Sequence, residues 1–461
     1  MSKIAVLTNF ASWNPGYSLS GIVRDQVLML ERHGHEVVLF VQEDFSGDAD
    51  GLTPRAVIPA LKLIDYKSVA DLTPEHKMAA RRIAEVLKTE LAGFDYVLAH
   101  DWIFLGHNLP HALAVRIASP ELPDVRWLHW IHSIPSGRRD WWLIKDYGPN
   151  HKIVFPNRAD ALRVAEQFRG GLEDVRVIPH IKDLRTWFDF HEDTRAFIDE
   201  YPAVMQADIV QVLPASQDRL EYKRVPEVIK IFGAFKRLGL SVCLVVANQW
   251  ATRTTYLQDM NQYKDMARAA GIEPGREFVF TSDFDYPRFE IGVPRRMVRE
   301  LMQCANLFCF PTHHESFGLV VPEAALAGCF LVLNGSLPMQ REISGSLANY
   351  HDFGSYCHQV HREGDDDAWL DQVAMIIFGR MRRNESILTR TFCRQTYNYD
   401  AVYFEHYRPV LAESATWGAL PADRSLAPTL SQGERPEKGN DKIPLSLRER
   451  TGLPASGGVR G

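Results

Sequence analysis

The chain has 461 residues, of which 46% are apolar and 24% charged, and carries a formal net charge of −6. At about 150 residues per domain this is too long for one ordinary core, and the composition is that of a globular protein able to bury two or three. The acidic balance argues against a nucleic-acid-binding face over the whole molecule, and no apolar run approaches the roughly 20 residues that span a bilayer.

The N-terminus, MSKIAVLTNF, enters a short strand at Ile4–Leu7 without the apolar core of a secretory leader. A loop from Thr8 to Ser20 is expected next, closing in a turn at Gly21, where backbone could approach a phosphate. Ile22, Val23, Val27, Leu28 and Leu30 recur at helical spacing, Gly34 ends the helix, and a second strand runs over Glu36–Val41. This βαβ unit predicts a parallel sheet. Further strands are expected at Tyr96–Ala99, Val125–Ile131, Ile153–Phe155 and Val175–Ile178, with helices at Glu75–Leu91 and Ala159–Phe168. In such a sheet, functional residues gather at the carboxyl ends of the strands, which singles out Asp101 after LAHD and His132 after LHWIH. His100 and His129 are expected to pack or bond locally. GRRDWW, Gly137–Trp142, sets two Arg beside two Trp and offers an acceptor or membrane-surface contact, against the alternative of a loop with one packed Trp. Phe190–Met205 reads as the interdomain connection.

A second alternating series occupies Ile209–Leu213, Val242–Ala247, Phe278–Thr281, Leu307–Phe310 and Phe330–Leu333, with helices at Val225–Leu238, Met260–Ala270 and Arg295–Ala305. After its first strand, QDRLEYKR places Arg219 with Lys223 or Arg224 where two cations could neutralise a diphosphate. After the fourth, FPTHHESFGLVVPEAALAG sets Glu315 in a loop and Glu323 in a helix that must start close to Pro322 and stop at Gly328. The amides of Phe317, Gly318 and Leu319 lie at that helix start, where an anion is favoured. Phe392–Ala412 has the pattern of one last helix. From 413 the chain turns to Pro, Gly, Ser, Arg and Glu without periodicity, which predicts a disordered tail. The six cysteines form no CxxC pair and read as buried free thiols of a reducing cytosol.

Glu315, seven residues, Glu323, set in ESFGLVVPEAALAG, resembles the signature of the family-four retaining glycosyltransferases. The resemblance covers roughly residues 1 to 412. It implies the GT-B architecture, α/β with two Rossmann-like doubly wound domains facing a central cleft. An N-terminal acceptor-side domain would span 1–203, a C-terminal donor domain 204–391, and a helix at 392–412 would cross back. It also implies roles: Glu315 and His132 beside the transferred sugar, Glu323 on the nucleotide ribose, Phe317, Gly318 and Leu319 around the diphosphate with Arg219 and Lys223, and Gly21 near the donor. Asp101, Arg224 and Thr281 are further candidates, the last beside the base, and Glu342 follows the signature helix. His180 and Ile181 replace the family's usual Asn-Gly, Asp218 replaces a Gly before Arg219, and Ser282 stands where relatives have Gly. The implied reaction moves a sugar from a nucleotide diphosphate sugar, as co-substrate, to a hydroxyl of a carbohydrate, lipid or small-molecule acceptor. It needs no cofactor and no metal. Two other readings stand beside it: a nucleotide-sugar epimerase of the same fold, and a nucleotide-sugar-binding protein without transfer. The expected location is cytoplasmic, at most peripheral to the inner membrane face.

Overall fold

The computed structural model describes residues 1–14, 16–61, 68–103, 109–133, 142–252, 254–315, 318–354 and 366–413. The expectations for Phe317, for most of GRRDWW, for Cys357 and for the tail beyond 413 fall outside them. Among the described residues no helix is long and apolar enough to cross a membrane. The chain divides into two compact units: Met1–Lys182 with Tyr397 and the described residues after it, and Asp183–Thr396.

The first unit is built on one parallel sheet of seven strands: β1 (Lys3–Leu7), β2 (Glu36–Gln42), β3 (Arg55–Ile58), β4 (Tyr96–His100), β5 (Arg126–Trp130), β6 (His151–Phe155) and β7 (Val175–Val177). Their order is β3-β2-β1-β4-β5-β6-β7. Central strands buried on both faces need apolar residues at nearly every position, and alternation divides them between two cores. Ile4 and Val6 join Tyr96, Leu98, Leu128 and Trp130 in one, while Ala5 and Leu7 join Val97, Ala99, Trp127 and Ile153 in the other. The strand order reverses between β1 and β4, which pair directly.

The second unit carries β8 (Ile209–Ser216), β9 (Val242–Gln249), β10 (Phe278–Phe280), β11 (Leu307–Phe310), β12 (Phe330–Asn334) and β13 (Asn349–His351). Backbone ladders give two parallel sheets, β10-β9-β8 and β11-β12-β13. Two buried amides join them. Asn306 accepts from the Val210 N–H at 2.9 Å while its own N–H donates to the Val210 carbonyl at 3.0 Å. Gln211 donates to the Cys309 carbonyl at 2.9 Å and accepts from the Cys309 N–H at 2.7 Å. The joined order is therefore β10-β9-β8-β11-β12-β13, the doubly wound order with its switch point between β8 and β11.

Three sequence expectations need correction. Phe190–Met205 is not a connection: Phe190, Phe197, Ile198, Tyr201, Val204 and Met205 are buried in the core of the second unit, so that unit begins at Asp183 instead of near 204. Phe392–Ala412 is not one helix. Glu385–Thr396 ends the second unit, Asn398 caps a new start by accepting from the Ala401 N–H at 2.9 Å, and Tyr399–Val402 continues through a π turn, Tyr403–Tyr407, into Arg408–Leu411. This second piece packs on the first unit through Tyr399, Val402, Tyr403, Tyr407 and Val410. Finally, Cys393 is exposed, whereas Cys243, Cys304, Cys309 and Cys329 are buried free thiols.

Candidate active site

The switch point of the second unit brings two loops together. The loop after β8 includes a 3-10 turn, Gln217–Arg219, and ends at Arg224, whose backbone is left-handed at φ 55°. The loop after β11 runs through Pro311–Glu315. The Tyr222 carbonyl holds them to each other, accepting from the His313 N–H at 2.8 Å and the Thr312 hydroxyl at 3.2 Å. Asn334, at the end of β12, donates to the Thr312 carbonyl at 3.0 Å. On this frame the Lys223 ammonium pairs with the Glu315 carboxylate, both side chains less than one-fifth exposed, and the same ammonium lies 5.0 Å from the centre of the Phe310 ring.

Of the two candidates for the second cation, the structure separates Lys223 from Arg224. Arg224 is buried, donates to the Phe353 carbonyl and lies 3.1 Å from His313 Nε2; it holds the loop in place. Arg219 is exposed and makes no ion pair among the described residues. Gly318 has φ +74°, and a Cβ there would lie 3.0 Å from Glu315 Cγ, so only glycine fits without moving the carboxylate. The helix that follows is Val320–Leu326, with Gly328 at φ +82° beyond its end. Leu319 is exposed. Glu323 pairs with Arg295, the first residue of the helix Arg295–Cys304. A cavity of about 490 Å³ opens between these helices, lined by Arg295, Arg299, Met302, Glu323 and Leu326 among others.

Thr281 and Ser282 are buried in a network centred on Asn248, which accepts from the Ser282 N–H at 3.0 Å and donates to the Ser282 hydroxyl at 2.8 Å. Glu342 is exposed on the helix Pro338–Ser344. Among the described residues one trio gathers possible metal ligands, His191, Glu192 and Asp193, and there Asp193 already pairs with Arg288 at 2.8 Å.

In the first unit, Gly21 is not in a turn: the helix starts at Ser18, and Gly21 lies in its opening turns with open space where a Cβ would be. Asp101 and His132 do come together. Asp101 follows β4 with φ +58°, and its carboxylate accepts from the His132 N–H at 3.2 Å. Burial pushes the Asp101 carboxyl up to about 6 and His132 down to about 3. His132 Nε2 lies 2.9 Å from His100 Nδ1, and the ring of His180 stands beside His132, centroids 5.2 Å apart. His129 faces the other side of the sheet and pairs with His151 at 2.9 Å. Trp142 packs against Arg116, whose guanidinium lies 4.9 Å from the ring centre. Sequence reasoning missed the carbonyl of Tyr222, the side chains of Asn334 and Arg295, and the link from His132 to His100; only the last had a signal, since the two histidines end adjacent strands.

No family model matches the chain. It is similar to the glycogen synthase of Mycobacterium tuberculosis (strain H37Rv), 25% identical over 251 residues, 52% of this chain and 51% of that protein. The chain thus matches about half the length of the curated relative. Among solved structures it is similar to the catalytic domain of starch synthase IV from Arabidopsis thaliana bound to ADP and acarbose, with TM-score 0.33 and 11% identity, covering 90% of this chain and 99% of that one. It is also similar to Anabaena HepE in complex with UDP-glucose, with TM-score 0.30 and 14% identity, covering 89% and 99%.

Proposed function

We propose that the protein is a retaining, metal-independent glycosyltransferase of the GT-B class that uses a nucleotide diphosphate sugar as donor and a carbohydrate, lipid or small-molecule hydroxyl as acceptor. The observation that carries this reading is the meeting of Lys223 and Glu315 at the β8/β11 switch point, on two loops tied through one carbonyl. In doubly wound sheets, ligands bind outside the carboxyl ends of the strands at this point. A lysine paired with a carboxylate before donor arrives is a cation placed for a diphosphate, which on binding competes with the carboxylate for the ammonium. Arg219, exposed on the same loop, supplies a second cation, and together they neutralise the charge that develops on the leaving diphosphate. The amides of Gly318 and Leu319, for which the described residues offer no acceptor, face the same anion. Glu315, displaced from Lys223, stands beside the sugar whose ring gains positive charge. Glu323 exchanges Arg295 for the ribose hydroxyls. The partial sequence likeness to a glycogen synthase supports a glycosyl nucleotide as the first donor to try.

The test is a thermal-shift and turnover screen with UDP-, ADP- and GDP-sugars, with and without acceptor and with EDTA present. A ligand at about 100 times its Kd adds about 2.7 kcal/mol of stability. Donor binding with transfer or slow hydrolysis in EDTA supports the reading; epimerised donor, binding without any turnover, or activity abolished by EDTA each refutes a named part of it.

A further inference from the structure

One face of the sheet in the first unit carries a continuous line of polar hydrogen bonds through an otherwise apolar core. Leu98 and His100 on β4, and Leu128 and Trp130 on β5 with His132 just beyond, share this face because strands alternate. The helix Ser18–Arg32 turns Gln26 into it, and the π turn Tyr403–Tyr407 turns in Tyr407. Gln26, His100 and Tyr407 are each at most 2% exposed. Gln26 Nε2 donates to the Tyr407 hydroxyl at 2.7 Å, Gln26 Oε1 meets His100 Nε2 at 2.9 Å, and His100 Nδ1 meets His132 Nε2 at 2.9 Å. The ring planes of His100 and His132 are tilted by 9° to each other, with centroids 5.1 Å apart. At the end of the line, His132 Nδ1 is buried with no hydrogen-bond partner among the described residues.

Each bond fixes the next. An amide whose nitrogen is given to Tyr407 has only its oxygen for His100, so His100 carries its proton on Nε2. His100 Nδ1 is then a lone pair, so His132 must carry its proton on Nε2. A neutral imidazole has one N–H, which leaves His132 Nδ1 as an acceptor. We propose that Gln26, His100 and Tyr407 are positioning residues that lock His132 into the Nε2–H tautomer, so that its Nδ1 accepts a hydrogen bond from a substrate hydroxyl. Burial keeps both histidines neutral, which the lock needs, since a protonated His132 would only donate. The inference rests on the transferase reading for the identity of the hydroxyl, while the tautomer itself does not depend on it.

The first arm needs no substrate. In protein labelled with 15N-histidine at neutral pH, two-bond proton–nitrogen correlations should show His132 and His100 protonated on Nε2 and bare on Nδ1, with His132 assigned through His132→Gln. Protonation of His132 on Nδ1, or a mixture, overturns the proposal. Gln26→Met should turn His132 into a tautomer mixture, and Gln26→Glu, whose carboxylate can only accept from His100, should restore the single form. Tyr407→Phe is the backup should Gln26→Met fail to fold. His132 signals unchanged in Gln26→Met overturn the relay. The second arm uses monodeoxy and monofluoro UDP-glucose and ADP-glucose. At the hydroxyl that faces Nδ1, removal and fluorination should each weaken binding of the donor by about tenfold, the worth of one hydrogen bond, because fluorine cannot donate. A fluoro sugar that binds as well as the parent where the deoxy sugar does not means that His132 donates, and overturns the proposal. Failure of every UDP-, ADP- and GDP-sugar of the screen above to turn over counts against the transferase reading, and the nitrogen signals then decide the relay alone.

Discussion

Glu315 and Glu323 sit eight residues apart and should fail in different ways. If Glu323 holds the ribose as proposed, Glu323→Ala removes a contact made equally before and during reaction, and it should raise the donor KM with little change in kcat. Glu315→Ala should lower kcat by about 3 kcal/mol, the range for loss of one preorganised electrostatic group, with nucleotide affinity unchanged or improved because Lys223 is freed. Steady-state kinetics with isothermal binding of the nucleotide separates the two; a Glu315 variant that loses binding but keeps kcat would reverse their assignment. Arg219 and Arg224 form a second contrast. Arg219→Ala should weaken a nucleoside diphosphate more than the nucleoside and leave the melting temperature alone. Arg224→Ala leaves the Phe353 carbonyl without its donor, at a cost of about 1–3 kcal/mol, and should lower the melting temperature before it changes anything else. The sequence showed all four residues as candidates. It could not show which of Lys223 and Arg224 turns outward, because that is settled by a left-handed backbone at Arg224 and a carbonyl more than a hundred residues away.

Among the elements, the apolar strands were legible and the marginal ones were not. β1, β4, β8, β9 and β11 are runs that no exposed strand could carry; all but β8 fall within a residue or two of expectation, and β8 runs three residues further, to Ser216. β3 and β13 are edge strands of four and three residues, too short and too polar to stand out. The join between β8 and β11 was illegible as well, since it depends on the side chains of Gln211 and Asn306, and so was the allegiance of Glu192–Glu200, because amphipathicity shows a buried face without naming the core it enters. β4, β5 and β6 also set a pH limit. His100, His129, His132, His151 and His180 are all held below their ordinary range by burial. The unfolded chain therefore binds more protons than the folded one as pH falls through 6.5, and stability is lost from there downward. For His129 and His132, both lowered to about 3, the loss should reach about 2 kcal/mol each by about pH 5. Asp101, raised to about 6, and Glu31 and Glu227, also raised by burial, work in the opposite sense but are outnumbered by the lowered histidines. Melting of the protein between pH 7.5 and 5 should show a steep fall, shallower in His129→Gln; a flat profile would mean that these rings are hydrated.

On the scale of the whole chain, the described structure closes at Glu413. Its carboxylate pairs with Arg176 at 3.0 Å and its carbonyl accepts from Arg126, which corrects the expectation that the ordered fold is complete at Ala412. A protein ending at Ala412 should melt lower than one ending at Glu413, by the value of one partly buried charged pair, about 1–3 kcal/mol. The composition beyond 413 predicts that the protein ending there melts with the full chain. Thermal denaturation of the three lengths decides both points.

Residues 183–396 are an insertion: the chain leaves the first unit at Lys182 and re-enters at Tyr397, and these two residues are joined by a hydrogen bond of 2.8 Å from the Lys182 N–H to the Tyr397 carbonyl. During synthesis, therefore, the first unit emerges early yet stays unfinished for more than two hundred residues, the part of its face around Trp130 that Tyr407 meets, ring centres 5.8 Å apart, open until Tyr399–Leu411 leaves the ribosome. Domains generally fold in the order in which they are made, but here the first to appear is the last to be sealed. A nascent or prematurely terminated chain would present that apolar face to chaperones and proteases, and the hydrogen-bond line from His132 through His100 and Gln26 would lack its last member, Tyr407, until that late segment is made.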